Sequence, residues 1–150
     1  VNAEKTLFNI DKVSSDHDKV YIFEGPINAF FTKNSIAVAG ITERGKSFTQ
    51  RQEEQLNNTL KWYDKVWILD SQWVDQASLV KSEVLLKQNE KVFIWPEKFG
   101  KRFKDFNDIA IACKIDEIGW DFIQKNTFDG LEGIVKLSEI KKFRNQTYLN

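Results

Sequence analysis

The chain is poor in the residues that hold proteins together covalently or through soft metals. Its 150 residues include one cysteine, Cys113, and one histidine, His17. No internal disulfide and no cysteine-based zinc site can be built, which fits a reducing compartment. Cys113 follows Ile109-Ala110-Ile111-Ala112, and a buried helical position with a structural role is expected for it. His17 lies in a polar run, Ser14 to Asp18, and reads as a solvated loop residue rather than a ligand. With 2 proline and 7 glycine residues, the composition is not that of a disordered or low-complexity chain. No apolar stretch approaches the ~20 residues that cross a bilayer, and no signal peptide is visible. A soluble, cytoplasmic protein is expected, with no membrane partner. Charge of one sign is also missing: 22 basic and 22 acidic residues give a formal net charge of +0. The whole-molecule field therefore does not steer toward nucleic acid, although a local basic stripe facing a site is enough for contact. The sequence opens at Val1 rather than Met, which leads us to expect a processed chain or a piece of a longer one.

What is present is apolar and aromatic. The chain is 41% hydrophobic, with 12 Phe and 5 Trp. A chain of this length buries roughly 68–70% of its unfolded surface as one domain, and the aromatics inside strand-like runs are expected in the core. The organising stretch is Lys19 to Asn28. Val20, Tyr21, Ile22 and Phe23 form an apolar run without polar interruption, as in a parallel strand covered on both faces. Glu24 ends it, and Gly25-Pro26 turns the chain into a helix whose first turn tolerates proline. Lys65 to Asp70 repeats the pattern, an apolar run closed by a carboxylate and followed by helix. Ligands of open α/β sheets bind at such strand-to-helix crests, and two acids at two parallel strand ends can share a divalent cation. Either acid alone reads equally well as a helix cap.

Around these two strands the remaining elements fall in order. Val1 to Asp18 is a lead-in with one apolar cluster, Leu7 to Ile10, as an edge strand. Ile27 to Phe31 gives a short helix closed by Lys33-Asn34, and Ile36 to Ala39 a second strand, with Gly40 allowing close backbone approach at the crest. Thr42 to Ser47, TERGKS, lacks the spacing of a phosphate loop and is discounted as one. Phe48 to Tyr63 shows a narrow helical stripe through Leu56, Leu60 and Tyr63. Trp73 to Gln88 is an amphipathic helix, Lys91 to Pro96 a fourth strand, Glu97 to Lys104 a basic loop, and Asp105 to Lys114 a helix. Helical stretches at about 116 to 126 and 129 to 142 follow. Strand and helix alternate from Val20 to Lys114, which requires right-handed crossovers and a parallel sheet. The expectation is a four-stranded parallel sheet with helices on both faces, with residues 1–18 as lead-in, 19–114 as the α/β domain and 115–150 as a C-terminal helical extension.

The residues EGPIN, then ILDSQ, then KVFIWP and KDFND resemble the TOPRIM domain over roughly Lys19 to Lys114, and among its branches the DNA primases of large tailed phages. That resemblance implies a TOPRIM-like fold and metal-dependent nucleotidyl transfer: RNA primers made from ribonucleoside triphosphates on a single-stranded DNA template, with Mg2+ or Mn2+ as cofactor. It further implies a replicative helicase as partner and, for a phage protein, the host cytoplasm. Glu24 matches the family's acid/base glutamate and Asp70 the first Asp of its DxD motif, making both catalytic. Gln72 stands at the second Asp of that motif, and phage primases of this kind carry Gln there. Asp105 and Asp108 complete the implied metal set of Glu24, Asp70, Gln72, Asp105 and Asp108. Asn28 stands where many primases have an acid, as does Asn107. Each amide keeps an oxygen and removes a charge, so fewer or weaker metals are expected.

Asn28 and the basic loop residues Lys98, Lys101, Arg102 and Lys104 are candidates for binding nucleotide or template phosphates. A second basic run, Lys136, Lys141, Lys142 and Arg144, reads as the solvated face of a helix. No aromatic ladder marks a single-strand stacking groove. Two other functions use the same residues: a TOPRIM nuclease, which would attack phosphodiesters with water, and a non-catalytic module binding nucleotide or a partner.

Overall fold

The computed structural model describes residues 5–39, 41–42 and 44–149. Gly40, expected to close the second strand, lies outside them. Strand β1 is Lys19–Phe23, followed by α1, Pro26–Ala29, with Pro26 in its first turn and Gly25 as extended N-cap. β2 is Ser35–Ala37, and a small antiparallel hairpin of β3, Ile41–Thr42, and β4, Gly45–Lys46, comes next. α2, Gln50–Glu54, starts at a capping box of Thr49 and Gln52 and runs into a π-helical turn, Gln55–Thr59. β5 is Asp64–Ile68, α3 Gln76–Lys87, β6 Lys91–Phe93, α4 Glu97–Gly100 and α5 Phe106–Cys113. The chain ends with α6, Trp120–Lys125, β7, Thr127–Phe128, and α7, Gly130–Leu149.

The main sheet has the order β2-β1-β5-β6-β7. Its first four strands are parallel, as the alternating pattern requires. The fifth corrects the four-stranded expectation: β7 runs antiparallel to β6, pairing Val92 with Phe128 and Phe93 with Thr127, and Ile94 N–H donates to Asn126 O at 2.8 Å. The reason is the free edge. β6 would otherwise leave a row of backbone donors and acceptors unpaired. At the other edge Phe8 bridges Ala37 across an antiparallel pair of hydrogen bonds, so the lead-in does contribute an edge contact.

Side chains alternate between two apolar layers. Val20, Ile22, Trp67, Leu69 and Val92 face one side, where they meet Leu56, Leu60 and residues of α3 and α7 such as Leu85 and Leu137. Tyr21, Phe23, Val66, Ile68 and Phe93 face the other, against Ala29, Phe106, Ile109 and Ile123 of α1, α5 and α6. Helices thus cover both faces, as expected for buried parallel strands. Residues beyond Lys114 do more than extend the domain: they supply the edge strand and, through Leu137 and Ile140, part of one core layer.

Other readings shift. Cys113 is exposed rather than buried. α5 turns Phe106, Ile109 and Ala110 inward, and Cys113 lies at its last residue, before Lys114 takes the left-handed conformation. His17 packs edge-on against Trp120, with ring centroids 4.0 Å apart. The second basic run is not simply solvated: Arg144 is buried, donating from Nη1 to Trp73 O at 2.8 Å and from Nε to Gln76 Oε1 at 3.1 Å, and Lys141 pairs with Glu83. Among the described residues no helix is long and apolar enough to cross a membrane.

Candidate functional site

Glu24 and Asp70 reach the same crest because of strand register. Phe23 is paired with Ile68 in adjacent parallel strands, so Glu24 lies one residue beyond that pair and Asp70 two beyond. Side chains alternate along a strand, and the two acids accordingly turn toward opposite layers. Glu24 leans to α3, where Lys81 Nζ donates to its Oε2 at 3.0 Å. Asp70 leans to α5. Both line one narrow crevice with Asn28 and Asp105, walled by Phe23, Ile68 and Phe106.

The crevice is electrostatically unbalanced. Asp70 has its pKa raised to about 6, first by burial and then by the neighbouring Asp105; Lys104 opposes the rise, while Asp75 and Glu24 add to it. Lys104 Nζ stands 3.8 Å from Asp70 Oδ2, too far for a direct hydrogen bond. Burial is thus the main cause, and among the neighbouring charges Asp105 outweighs Lys104.

The other sequence-derived residues separate into those at the crevice and those engaged elsewhere. Asp105 is at the crevice and also caps α5, its Oδ1 accepting from Asp108 N–H at 2.9 Å. Asp108 accepts from Lys104 N–H at 3.0 Å, closing the turn before the helix. Asn28 accepts from Asn107 N–H at 3.1 Å and so ties α1 to α5 across the crest. Gln72 is not among the residues that line the crevice. It is fully buried, donates from Nε2 to Ser82 Oγ and Phe93 O, both at 3.0 Å, and accepts from Trp95 N–H at 3.1 Å. These bonds bind the loop after β5 to α3 and β6 and engage both the nitrogen and the oxygen of the amide. An acid there would be buried without its donors' function, which is the physical reason an amide occupies the position.

The basic loop is partly helical, as α4. Lys98, Lys101, Arg102 and Lys104 are all exposed. Lys101 pairs with Glu97 and lies over the rings of Phe143, 3.9 Å from its centroid, and Trp73, at 5.1 Å. Arg102 lies 5.0 Å over Phe103. The loop is fastened to the crest by Ser71, whose N–H donates to Lys104 O and whose hydroxyl donates to Gly100 O, each at 2.7 Å.

No protein-family profile matches the chain. It is similar to a DNA primase of Enterobacteria phage T4, 27% identical over 139 residues. Those residues are 91% of this chain but 36% of that protein, so the chain spans about a third of the length of the relative it matches. The relationship is primase-like, and the fold beneath it is α/β with a mostly parallel five-stranded sheet.

Sequence reading missed Lys81 and Ser71. Lys81 lies 57 positions from Glu24, and within α3 it is one of several polar residues with nothing local to single it out. Ser71 lies between two motif residues, and its role is visible only once the basic loop is folded against it.

Proposed function

We propose that the chain is a TOPRIM-like catalytic segment of a primase, carrying out metal-dependent nucleotidyl transfer at the crest formed by Glu24 and Asp70. The observation that carries this reading is the convergence of both strand-end acids on one crevice with Asp105. The raised pKa of Asp70 is in keeping with it, because a carboxyl held up by burial and by the neighbouring Asp105 gains from a hard divalent cation beside it. Among the described residues no three acidic, histidine or cysteine groups stand as a ready-made cluster. The proposal is therefore limited to one ion, with waters completing its shell.

Glu24 and Asp70 would hold magnesium, or manganese in its place, with Asp105 the nearest further oxygen; bound there, the ion would offset charge on the triphosphate and the leaving pyrophosphate. Glu24 is the acid/base group, and Lys81 fixes the orientation of its carboxylate through Oε2. Asn28 holds α1 against α5 and so keeps the crevice narrow. Lys98, Arg102 and Lys104, exposed beside the crest, would bind phosphates of ribonucleoside triphosphates or of a single-stranded DNA template. Lys101 contributes less, since its ammonium is already engaged by Glu97 and two aromatic rings. A replicative helicase as partner and the host cytoplasm as compartment belong to the same proposal.

A non-catalytic module is the second reading, favoured by the lysine on Glu24 and by the amides at Asn28 and Asn107. One gel separates the functions: labelled nucleotide, single-stranded template and Mg2+ or Mn2+, with wild-type beside Asp70→Ala in the longest natural chain that carries these residues. Primers from the wild type and none from the variant are expected. Equal primer yield defeats the assignment of Asp70; template degradation without primers identifies a nuclease; neither activity, with Mn2+ still bound, identifies a binding module.

A further inference from the structure

The segment Thr42 to Ser47 has no part in the function described so far, and it does not form a phosphate loop. Its described residues form the β3–β4 hairpin, which lies against α3. Gly45, at φ +113°, permits this approach: a Cβ there would meet Gln88 Nε2 at 2.6 Å and Val84 Cγ1 at 3.3 Å. The turn is held by Thr42 Oγ1, which donates to Gly45 O at 3.0 Å and accepts from Arg44 N–H at 3.2 Å.

Between hairpin and helix runs an open groove of about 740 Å³. It is lined by Arg44, Lys46 and Lys81, with the hydroxyl residues Thr42 and Ser47 and the apolar Ile41 and Ala77. Among the described residues no carboxylate lines it; Glu43, between Thr42 and Arg44 in the chain, lies outside them. Lys46 Nζ has Glu90 at 2.6 Å and Lys81 has Glu24 at 3.0 Å, whereas among the described residues Arg44 has no carboxylate partner. Lys81 therefore belongs to two places. Its stem lines the groove and its ammonium touches the proposed catalytic glutamate, so the groove leads to the crest.

We propose that this groove binds the sugar-phosphate backbone of a single-stranded nucleic acid and delivers it toward Glu24. The reading rests on the crest being the reactive centre and adds a path for the strand. Three cations spread over two elements, alongside hydroxyl donors, match a row of phosphodiesters. Among the described residues the groove has no aromatic ring to stack a base, so it would follow the backbone without reading sequence. Its open shape suits an extended strand better than an enclosed triphosphate.

The test is fluorescence anisotropy of a labelled oligothymidylate at several salt concentrations, without divalent metal and without nucleotide. Binding alone is read, so the outcome does not depend on whether the crest makes primers. Wild type, Arg44→Ala, the double variant Arg44→Ala with Lys46→Ala, and Lys125→Ala on the remote α6 are compared, with folding checked by circular dichroism. Each lost phosphate contact should flatten the slope of log K against log salt by about 0.7, so the double variant should lose about 1.4. Lys125→Ala should match the wild type. Unchanged affinity and slope in the double variant would overturn the proposal, as would an equal loss in Lys125→Ala.

Discussion

Asp70 shows how a candidate site residue can work against the stability of its own fold. A carboxyl whose pKa is raised from 3.8 to about 6 binds its proton more tightly folded than unfolded. Stability then falls as pH rises through that window, and the loss is complete above about pH 6. The full shift would correspond to roughly 3 kcal/mol. The side chain is 33% exposed, and solvent screening reduces this to about 1–2 kcal/mol. Asp70→Asn should therefore be more stable than wild type by about that amount at pH 8 in urea denaturation without metal, and the difference should vanish near pH 4. Millimolar Mg2+ should stabilise the wild type and leave Asp70→Asn unchanged, because an ion bound only to the native carboxylates adds to folding. A variant no more stable than wild type at pH 8 would contradict the burial and acid crowding described here.

At the scale of elements, the parallel strands were legible because each is an uninterrupted apolar run, which no solvent-exposed element tolerates. Val20 to Phe23 and Val66 to Leu69 are buried throughout. What the sequence concealed were contacts made at long range. β7 is two residues long and has no alternation to betray it; only the open edge of β6 calls for it. The helix expected from Trp73 begins at Gln76, because Asp75 N–H and Val74 N–H return to Ser71 O in a turn and Asp75 then caps the helix through Ser78 N–H. Gln72 looks like a ligand by position in a motif, and nothing nearby in sequence announces Ser82, Phe93 and Trp95 as its partners. Those bonds set its energetic role. Gln72→Glu would place a carboxylate where two donations are needed, leaving Phe93 O unpaired and a charge desolvated. We expect a loss of about 3 kcal/mol or more, seen as a lower urea midpoint, with no gain in Mn2+ affinity. Tighter Mn2+ binding by a folded Gln72→Glu protein would return the position to the metal site.

At the scale of the whole molecule, the C-terminal helix and the crest are mechanically joined. α7 packs on α3 where Gly133 leaves room for Leu86, and Lys141 bonds Glu83, whose carboxyl is held below its usual pKa mainly by that contact. Farther along, Phe143 meets Trp73 edge-on at 5.3 Å and supports Lys101. Arg144 reaches Trp73 O and Gln76 Oε1, the backbone and side chain that follow Asp70 into α3. Removing the guanidinium takes this donor from the half-buried Trp73 carbonyl and opens space between the helix and the loop. Arg144→Ala should cost about 2–4 kcal/mol. The loss of the latch should also reach Asp70. The loop Ser71 to Asp75 would loosen, water would enter, and the burial that raises the Asp70 pKa would weaken. NMR titration of the Asp70 carboxyl in Arg144→Ala should then give a pKa below that of the wild type, moving from about 6 toward 3.8. Arg144→Lys, which keeps a cation but not the two-pronged donor, should fall between. An Asp70 pKa unmoved in a destabilised Arg144→Ala protein would mean that α7 supports the core alone and leaves the crest independent of it.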